Sequence, residues 1–343
     1  MNSKHNLPFI AAALIFSLPV SGRSDPHQCA APNATLLASG LQGAIGSTIG
    51  PDRALYVAEG VAGRISRIDP NTGQMTTFAS GLPKRLDGFP VGGPIDLTFV
   101  GDTAYVLVTL VGSDVGGTSI DGIYRVEGPH SFKLVADLGA WSAAHPPSTP
   151  FDAANGLQFE IETYRDGFLV SDSNHNRVLF VKPDHCDTFD PSGTNNIKEL
   201  IQFPNIVPTG LAISGHTIYV AEAGPDPHAP ADGKIMAFDT HSGTLTEVAS
   251  GAPFLLDVVF GQGRDLYALS QGVFTCCTPT DSALPNTGSL VKVNDEGAFT
   301  VVADHLDRPT SVQFIGNTAY FVSLAGEVWK IDNVSCPRDD DSR

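Results

Sequence analysis

Asp172, Asn174, His175 and Asn176 stand together in GFLVSDSNHNRVLFVKPD (167–184), between two runs of apolar and β-branched residues. Oxygen and nitrogen donors this close could hold a metal ion, and an Asp beside a His could move a proton. The flanking runs also read as two strands, which would make the polar residues the turn between them. Further carboxylates recur in similar settings: Glu59 in LYVAEG, Asp96 in PIDLTFV, Glu222 in IYVAEAG and Asp257 in LLDVVF. Each begins or ends an apolar run, so which of them meet depends on how the runs are arranged.

The runs repeat. IGSTIGPDRALYVAEG (45–60), PIDLTFVGDTAYVLVT (94–109), ANGLQFEIETYRDGFLVSDS (154–173), PTGLAISGHTIYVAEAG (208–224), LLDVVFGQGRDLYALSQG (255–272) and PTSVQFIGNTAYFVSLAG (309–326) each give strand, turn and strand. A third strand follows each unit, and a fourth follows all but the last. ATLLASGL (34–41) stands alone before the first unit and resembles TTFASGL (76–82), the fourth strand of that unit. Four-stranded units with one strand moved from the C-terminus to the N-terminus predict an all-β, six-bladed β-propeller over residues 34–332, closed by pairing its ends. Closure removes an exposed sheet edge.

Composition bounds the rest. Residues 1–23 carry Lys4 and an apolar run from Leu7 to Val20, the layout of a secretory signal and too short for a membrane span, so export without membrane insertion is expected. The formal net charge of −17 makes nucleic acid a poor partner. Residues 333–343 read as an acidic tail. Cys29 and Cys336 flank the expected closure, which predicts a disulfide between them; Cys276 and Cys277 are adjacent, and Cys186 could join only one of them. Asn33 (NAT) and Asn333 (NVS) are glycosylation sequons if the source is a eukaryote.

Aligning the units places Gly46, Asp96, Gly156, Gly210, Asp257 and Ser311 in one ring near the axis. Ile45, Ile95, Asn155, Thr209, Leu256 and Thr310 precede them, and Glu59, Val108, Asp172, Glu222, Ser270 and Ser323 end the second strands. The long insertions 83–93, 111–119, 140–152, 224–232 and 270–286 open on the same face, the expected binding surface. Five carboxylates and Asn155 would then converge on the channel mouth, where they could coordinate calcium or supply a general base raised by like-charge neighbours. The alternative for Glu59, Asp172 and Glu222 is structural, capping the turn that follows. His145, His175, His228 and His305 could act as acids or bases or be solvated loop residues. Trp141 and Phe151 could line an apolar pocket, with Phe89 and Phe274 as further candidates.

VPTGLAISGHTIYVAEAG, FLVSDSNHNRVLFV, GSLVKVNDEG and RPTSVQF resemble the secreted ScyD/ScyE-type propellers, relatives of the NHL-repeat and SMP-30/gluconolactonase-like propellers. The resemblance implies the six-bladed fold over residues 34–332; the family is associated with metabolite gene clusters, without an agreed reaction. In the SMP-30 pattern Asn155 and Asp172 match a metal site and its surroundings. Thr209 stands where that pattern has a metal-binding aspartate, however, and Ile45 where it has a glutamate, so a calcium-dependent lactonase is the lesser reading.

The leading expectation is an exported propeller that binds a small organic molecule at the insertion-rich face. As an enzyme it would use no cofactor, with Asp96, Asp172 and Asp257 as catalytic groups and Glu59, Asn155, Thr209, Glu222 and Trp141 around the ligand, in a cyclisation, condensation or cycloaddition. The alternative class is a non-catalytic binding or scaffold propeller.

Overall fold

The computed structural model describes residues 33–183, 196–275 and 282–334. These form six four-stranded antiparallel sheets arranged as the blades of a β-propeller. The inner strands are Ala44–Ile49, Gly93–Val100, Gln158–Tyr164, Pro208–Ser214, Leu255–Phe260 and Pro309–Ile315, numbered here as blades one to six. The lone N-terminal strand, Ala34–Ser39, pairs antiparallel with Glu327–Ile331 and completes blade six, with Leu36 opposite Trp329. Cys29, Cys186, Cys276, Cys277, Cys336, the segment 1–23 and most of the tail 333–343 lie outside the described residues. Asn33 and Asn333 are exposed.

Strand alternation turns one set of side chains to each face, and both faces of every blade are covered by the neighbouring blades. The core is accordingly divided into six clusters, one per blade interface. Ile95, Leu107 and Ile123 of blade two meet Ile161, Phe168 and Leu179 of blade three. Ala44, Leu55 and Val57 of blade one meet Tyr320, Val322 and Val328 of blade six, so the apolar seam continues across the closure.

Every inner strand breaks register with its neighbour near its beginning: between Ala44 and Ser47, Pro94 and Asp96, Gln158 and Ile161, Pro208 and Leu211, Leu255 and Asp257, and Pro309 and Ser311. A bulge takes an N–H group out of the ladder. Six such N–H groups therefore face the axis, and each needs an acceptor.

Candidate ligand pocket and axial channel

The ring around the axis supplies those acceptors. Asp96 Oδ2 accepts from Ile161 N at 2.9 Å, Glu160 Oε1 from Leu211 N at 2.9 Å, Asp257 Oδ2 from Val312 N at 2.7 Å, and Ser311 Oγ from Ser47 N at 3.1 Å. Each of these bonds links one blade to the next. Blades one and four contribute Gly46 and Gly210 at this level, where a β-carbon would meet Asp96 and Asp257. The N–H groups of Leu97 and Val258, which follow those glycine blades, bond instead to Asp96 and Asp257 of their own strands. Asp96 and Asp257 thus serve a need of the whole repeat.

Blade three departs from the sequence alignment. Its ring residue is Glu160, four positions beyond Gly156, and Phe159 takes the place expected for Asn155. The Asn155 side chain is directed into the loops, donating from Nδ2 to Asp121 Oδ2 at 2.7 Å, while its N–H bonds Asp114.

Asp96, Glu160, Glu162 and Asp257 line a narrow channel with an internal volume of about 10 Å³, room for about one water. Burial pushes Asp96 and Glu160 well above the usual carboxylate range, and the neighbouring acids push them further. Burial and the Asp257 charge raise Glu162 to about 7; burial raises Asp257 to about 7 against hydrogen bonds from Val312, Val258 and Ser311. Burial thus favours the protonated form of these four carboxyls over a range where an exposed carboxyl has lost its proton.

The second-strand acids form a different layer. Each of the three stands opposite a base on the third strand: Glu59 opposite Arg64, Asp172 opposite Arg177 and Glu222 opposite Lys234. Glu59 is completely enclosed, accepting from Arg64 Nε at 2.6 Å, Arg64 Nη2 at 2.9 Å, Gln42 N at 2.6 Å and Ser66 Oγ at 2.5 Å. Asp172 accepts from Arg177 Nε at 3.0 Å and Leu157 N at 3.2 Å. Arg177 is itself 1 % exposed, lies 4.8 Å over the Trp141 ring, and donates to His175 Nδ1 at 2.7 Å. Since Nδ1 accepts, the ring hydrogen is on Nε2, which donates to Ala153 C=O at 2.9 Å. Asp172 and His175 therefore belong to a buried strut under the 140–152 insertion.

Trp141, on the short helix Leu138–Ala144, is buried in the same strut and stacks on His145 at 4.3 Å. Glu222 differs from its two sisters. It is 1 % exposed, its Oε2 has no hydrogen-bond partner, and Lys234 Nζ remains 3.8 Å away. The N–H groups of Ile206 and Val207, in the equivalent entry loop, are taken by Asn176 Oδ1 at 2.9 Å each.

Above the ring the insertions enclose an axial pocket of about 400 Å³. Its floor is the row of residues just before the ring: Ile45, Phe159, Thr209, Leu256 and Thr310. Its walls include Phe89, Leu110, Val207, Phe254 and Leu324; among the described residues no Lys or Arg lines it, and the lining acid is Asp152. The Thr209 hydroxyl is committed to backbone, 2.9 Å from Leu255 C=O and 3.1 Å from Ala221 C=O, and Thr310 Oγ1 is 2.7 Å from Ile45 C=O.

Of the four histidines singled out in the sequence, His228 alone lines this pocket. His305 is exposed at the surface and His145 packs on Trp141. His228 Nδ1 lies 3.0 Å from Gly224 C=O and donates to it, which leaves the lone pair on Nε2. Burial pushes the imidazole below its ordinary pKa. The ring packs against Phe254 at 4.6 Å and edge-on to Phe274 at 4.9 Å. Phe151 is 39 % exposed and meets His175, outside the pocket lining.

Of the expected site residues, then, Thr209 lines the pocket. Asp96 and Asp257 lie one layer beneath it, while Glu59, Asn155, Asp172, Glu222 and Trp141 are in the surrounding framework. Sequence reasoning missed Glu160, Glu162, Phe159 and Val207. Spacing could have found Glu160: ring residue and second-strand end are separated alike from Asp96 to Val108, Gly210 to Glu222 and Ser311 to Ser323, and Glu160 to Asp172 keeps that interval whereas Gly156 does not.

A lactonase-type metal site has no matching donor set in this pocket. Ile45 and Thr209 occupy two of the expected positions, Asn155 is held by Asp121, and Asp172 is held by Arg177. Among the described residues, no three His, Cys, Asp or Glu side chains gather as a metal-binding group.

No protein-family model matches the chain, and no curated protein sequence matches it. Solved structures do share its fold. A gluconolactonase from Xanthomonas campestris is similar with a TM-score of 0.60 at 12 % identity, covering 88 % of this chain and 89 % of its own. The PQQ-bound aldose sugar dehydrogenase of Streptomyces coelicolor follows with a TM-score of 0.58, 13 % identity, and 88 % and 98 % coverage. A catalytically inactive virginiamycin B lyase from Staphylococcus aureus with quinupristin gives a TM-score of 0.54 at 15 % identity, covering 88 % of this chain and 99 % of that one. At these identities the likeness is one of fold, and the chain is a six-bladed β-propeller of the architecture shared by gluconolactonase-like proteins and virginiamycin B lyase.

Proposed function

We propose that this protein is an exported propeller that binds a small, neutral, largely apolar organic molecule in the axial pocket, as a cofactor-free enzyme of secondary metabolism. The observation that carries the reading is the pocket itself: about 400 Å³, walled by the insertions and lined mainly by apolar side chains, with no Lys or Arg among the described residues. Pockets of this size and lining suit ligands that bury most of their surface. The absence of a lining cation disfavours phosphorylated or carboxylated ligands, whose charge would be desolvated without a partner. The resemblance to ScyD/ScyE-type phrases, a family associated with metabolite gene clusters, supports metabolite chemistry, and the layout of residues 1–23 supports export.

Chemistry in such a pocket would rest on holding a reactive molecule in one pose, with His228 Nε2 as the proton acceptor at the wall. Asp96 and Asp257, beneath the floor, would hold protons close to the site without touching the ligand. Filling the pocket tests the reading. Leu324→Trp places an indole in the cavity and should abolish binding of neutral aromatic molecules such as 2-naphthol, measured by calorimetry, with the fold intact by circular dichroism. Undiminished binding in that variant would sink the assignment of the ligand to this pocket.

A further inference from the structure

The backbone conformation of the pocket wall goes further than its volume. Eleven described residues other than glycine have positive φ, and those with apolar side chains are Leu110 (52°), Val207 (53°) and Phe254 (39°). All three line the axial pocket. The left-handed region is uncommon for any residue with a β-carbon and a genuine outlier for a β-branched one such as Val207. The others with positive φ are Arg, Asn and His. Costly backbone conformations persist where the surrounding structure holds them, and they gather at functional sites.

The repeat shows why the conformation is needed and what is unusual about its occupants. The N–H group after the second strand bonds the carbonyl just before the inner strand, from Gly60 to Gly43, Ala223 to Val207, Gln271 to Phe254 and Leu324 to Arg308. That carbonyl residue is left-handed in these four blades, with φ of 67°, 53°, 39° and 42°; in blade three Leu157 accepts the same bond from Ser173 N without a positive φ, and the left-handed residue is Gly156 before it, at 79°. Blade one meets the demand with Gly43 and blade two with Gly93, φ 73°, positions where a β-carbon would also collide with neighbours. Arg308 turns its charge to Asp307 at 2.9 Å. Blades four and five instead carry Val207 and Phe254, and both side chains reach the pocket.

We propose that Leu110, Val207 and Phe254 are the specificity-determining wall of the pocket, and that they select a flat, neutral aromatic molecule whose hydroxyl or ring N–H donates to His228 Nε2. This rests on the small-molecule reading of the pocket and names the ligand class. Phe254 enters before blade five and Phe89 before blade two, half-way round the ring, so the cavity has an aromatic lining residue on each of two sides. Phe254, Phe274 and His228 form a triangle of mutually packed rings, with Phe254 and Phe274 5.0 Å apart and His228 tilted against the first and edge-on to the second. With Nδ1 bonded to Gly224 C=O, a ligand donor at this wall would meet the lone pair of Nε2.

The probes are 2-naphthol, which can donate, and 2-methoxynaphthalene, which cannot. In Val207→Gly and Phe254→Gly the backbone strain is relieved and the side chain is lost, so the melting temperature should hold while affinity for both probes falls at least tenfold. Val207→Asn and Phe254→Asn are the second pair, because Asn tolerates left-handed backbone; they should keep the fold and lose the probes as well. His228→Phe retains the ring packing and deletes the acceptor. It should weaken 2-naphthol by roughly 3- to 10-fold, the scale of one hydrogen bond, and leave 2-methoxynaphthalene unchanged. Wild-type affinity in the glycine and asparagine variants, with Leu324→Trp still blocking 2-naphthol, overturns the wall and leaves the pocket reading standing. Equal losses of both probes in His228→Phe overturn the hydrogen bond. A wild-type protein that binds neither probe overturns this inference together with the reading beneath it.

Discussion

Glu222 offers the sharpest test of how charge is managed in this fold. Its sisters Glu59 and Asp172 each have a chelating or buried arginine and a loop N–H group, whereas Glu222 has Lys234 at 3.8 Å and an unpartnered oxygen. Burial, and secondarily the charge of Glu247, raise its pKa from an ordinary 4.5 to about 8, with Lys234 acting in the opposite direction. Below about pH 4.5 the carboxyl is protonated in both folded and unfolded chains and contributes no pH dependence. Between 4.5 and 8 the folded state keeps a proton that the unfolded state has lost, so stability falls by about 1.4 kcal/mol per pH unit. Above pH 8 the loss is complete, at roughly 4–5 kcal/mol as an upper bound.

Glu222→Gln keeps the shape and removes the ionisation, and Lys234 retains Glu247 at 3.9 Å. Thermal unfolding of both proteins should therefore give nearly equal melting temperatures at pH 4.5. At pH 9 the variant should lead by roughly 5–10 °C, taking about 2 °C per kcal/mol for a chain of this size. The other buried acids titrate in both proteins and cancel in the difference. A difference in melting temperature that is the same at both pH values would refute the reasoning, since a packing effect of the substitution has no reason to follow proton uptake.

Two more outcomes follow from the same structure. Asp257→Asn keeps an acceptor for Val312 N and removes a carboxyl raised to about 7, so its stability relative to the parent should rise between pH 4 and pH 7; Asp257→Ala strands that N–H group and should cost roughly 1–3 kcal/mol across the range, both read from urea unfolding. Arg177→Met leaves Asp172 buried without its cation and should lose roughly 3–5 kcal/mol, much of it restored by adding Asp172→Asn; if the double variant is no better than the single, the pair is not the strut described here.

The fold was legible because the chain repeats one phrase six times and leaves one strand over. ATLLASGL could be recognised as the missing outer strand of blade six because blade one contains nearly the same words, and its pairing with Glu327–Ile331 follows. The ring was legible in five blades and misplaced in the third. Asn155-Gly156 imitates Thr209-Gly210, and local wording outweighed the interval to the end of the second strand, shared with blades two, four and six, that points to Glu160. The task of Asp96 and Asp257 was hidden for a different reason. It depends on a bulge that frees an N–H group on the next blade, as Ile161 N is freed for Asp96, and a bulge leaves little trace in a strand of ordinary composition.

The pocket was legible as a location and not as a set of side chains, and the cause is the chemistry of burial in a repeat. Polar residues placed near a propeller axis are met first by the backbone of neighbouring blades, which must be satisfied before the ring can close. Glu59, Asp96, Asp172 and Asp257 are absorbed in that way, and their types and spacing look catalytic because the same donors and acceptors that serve chemistry also serve bulges and loop entries. What remains facing the pocket is what the frame did not require. Leu110, Val207 and Phe254 look inert in sequence, and each has a composition that argues against the left-handed backbone it adopts. His228 looks like any loop histidine until Gly224 fixes its tautomer and two phenylalanines hold its ring. In a repeat protein the informative residue is therefore the one that departs from its sisters at some conformational cost, and by that criterion the proposed ligand recognition would concentrate in blades four and five, at Val207, His228 and Phe254.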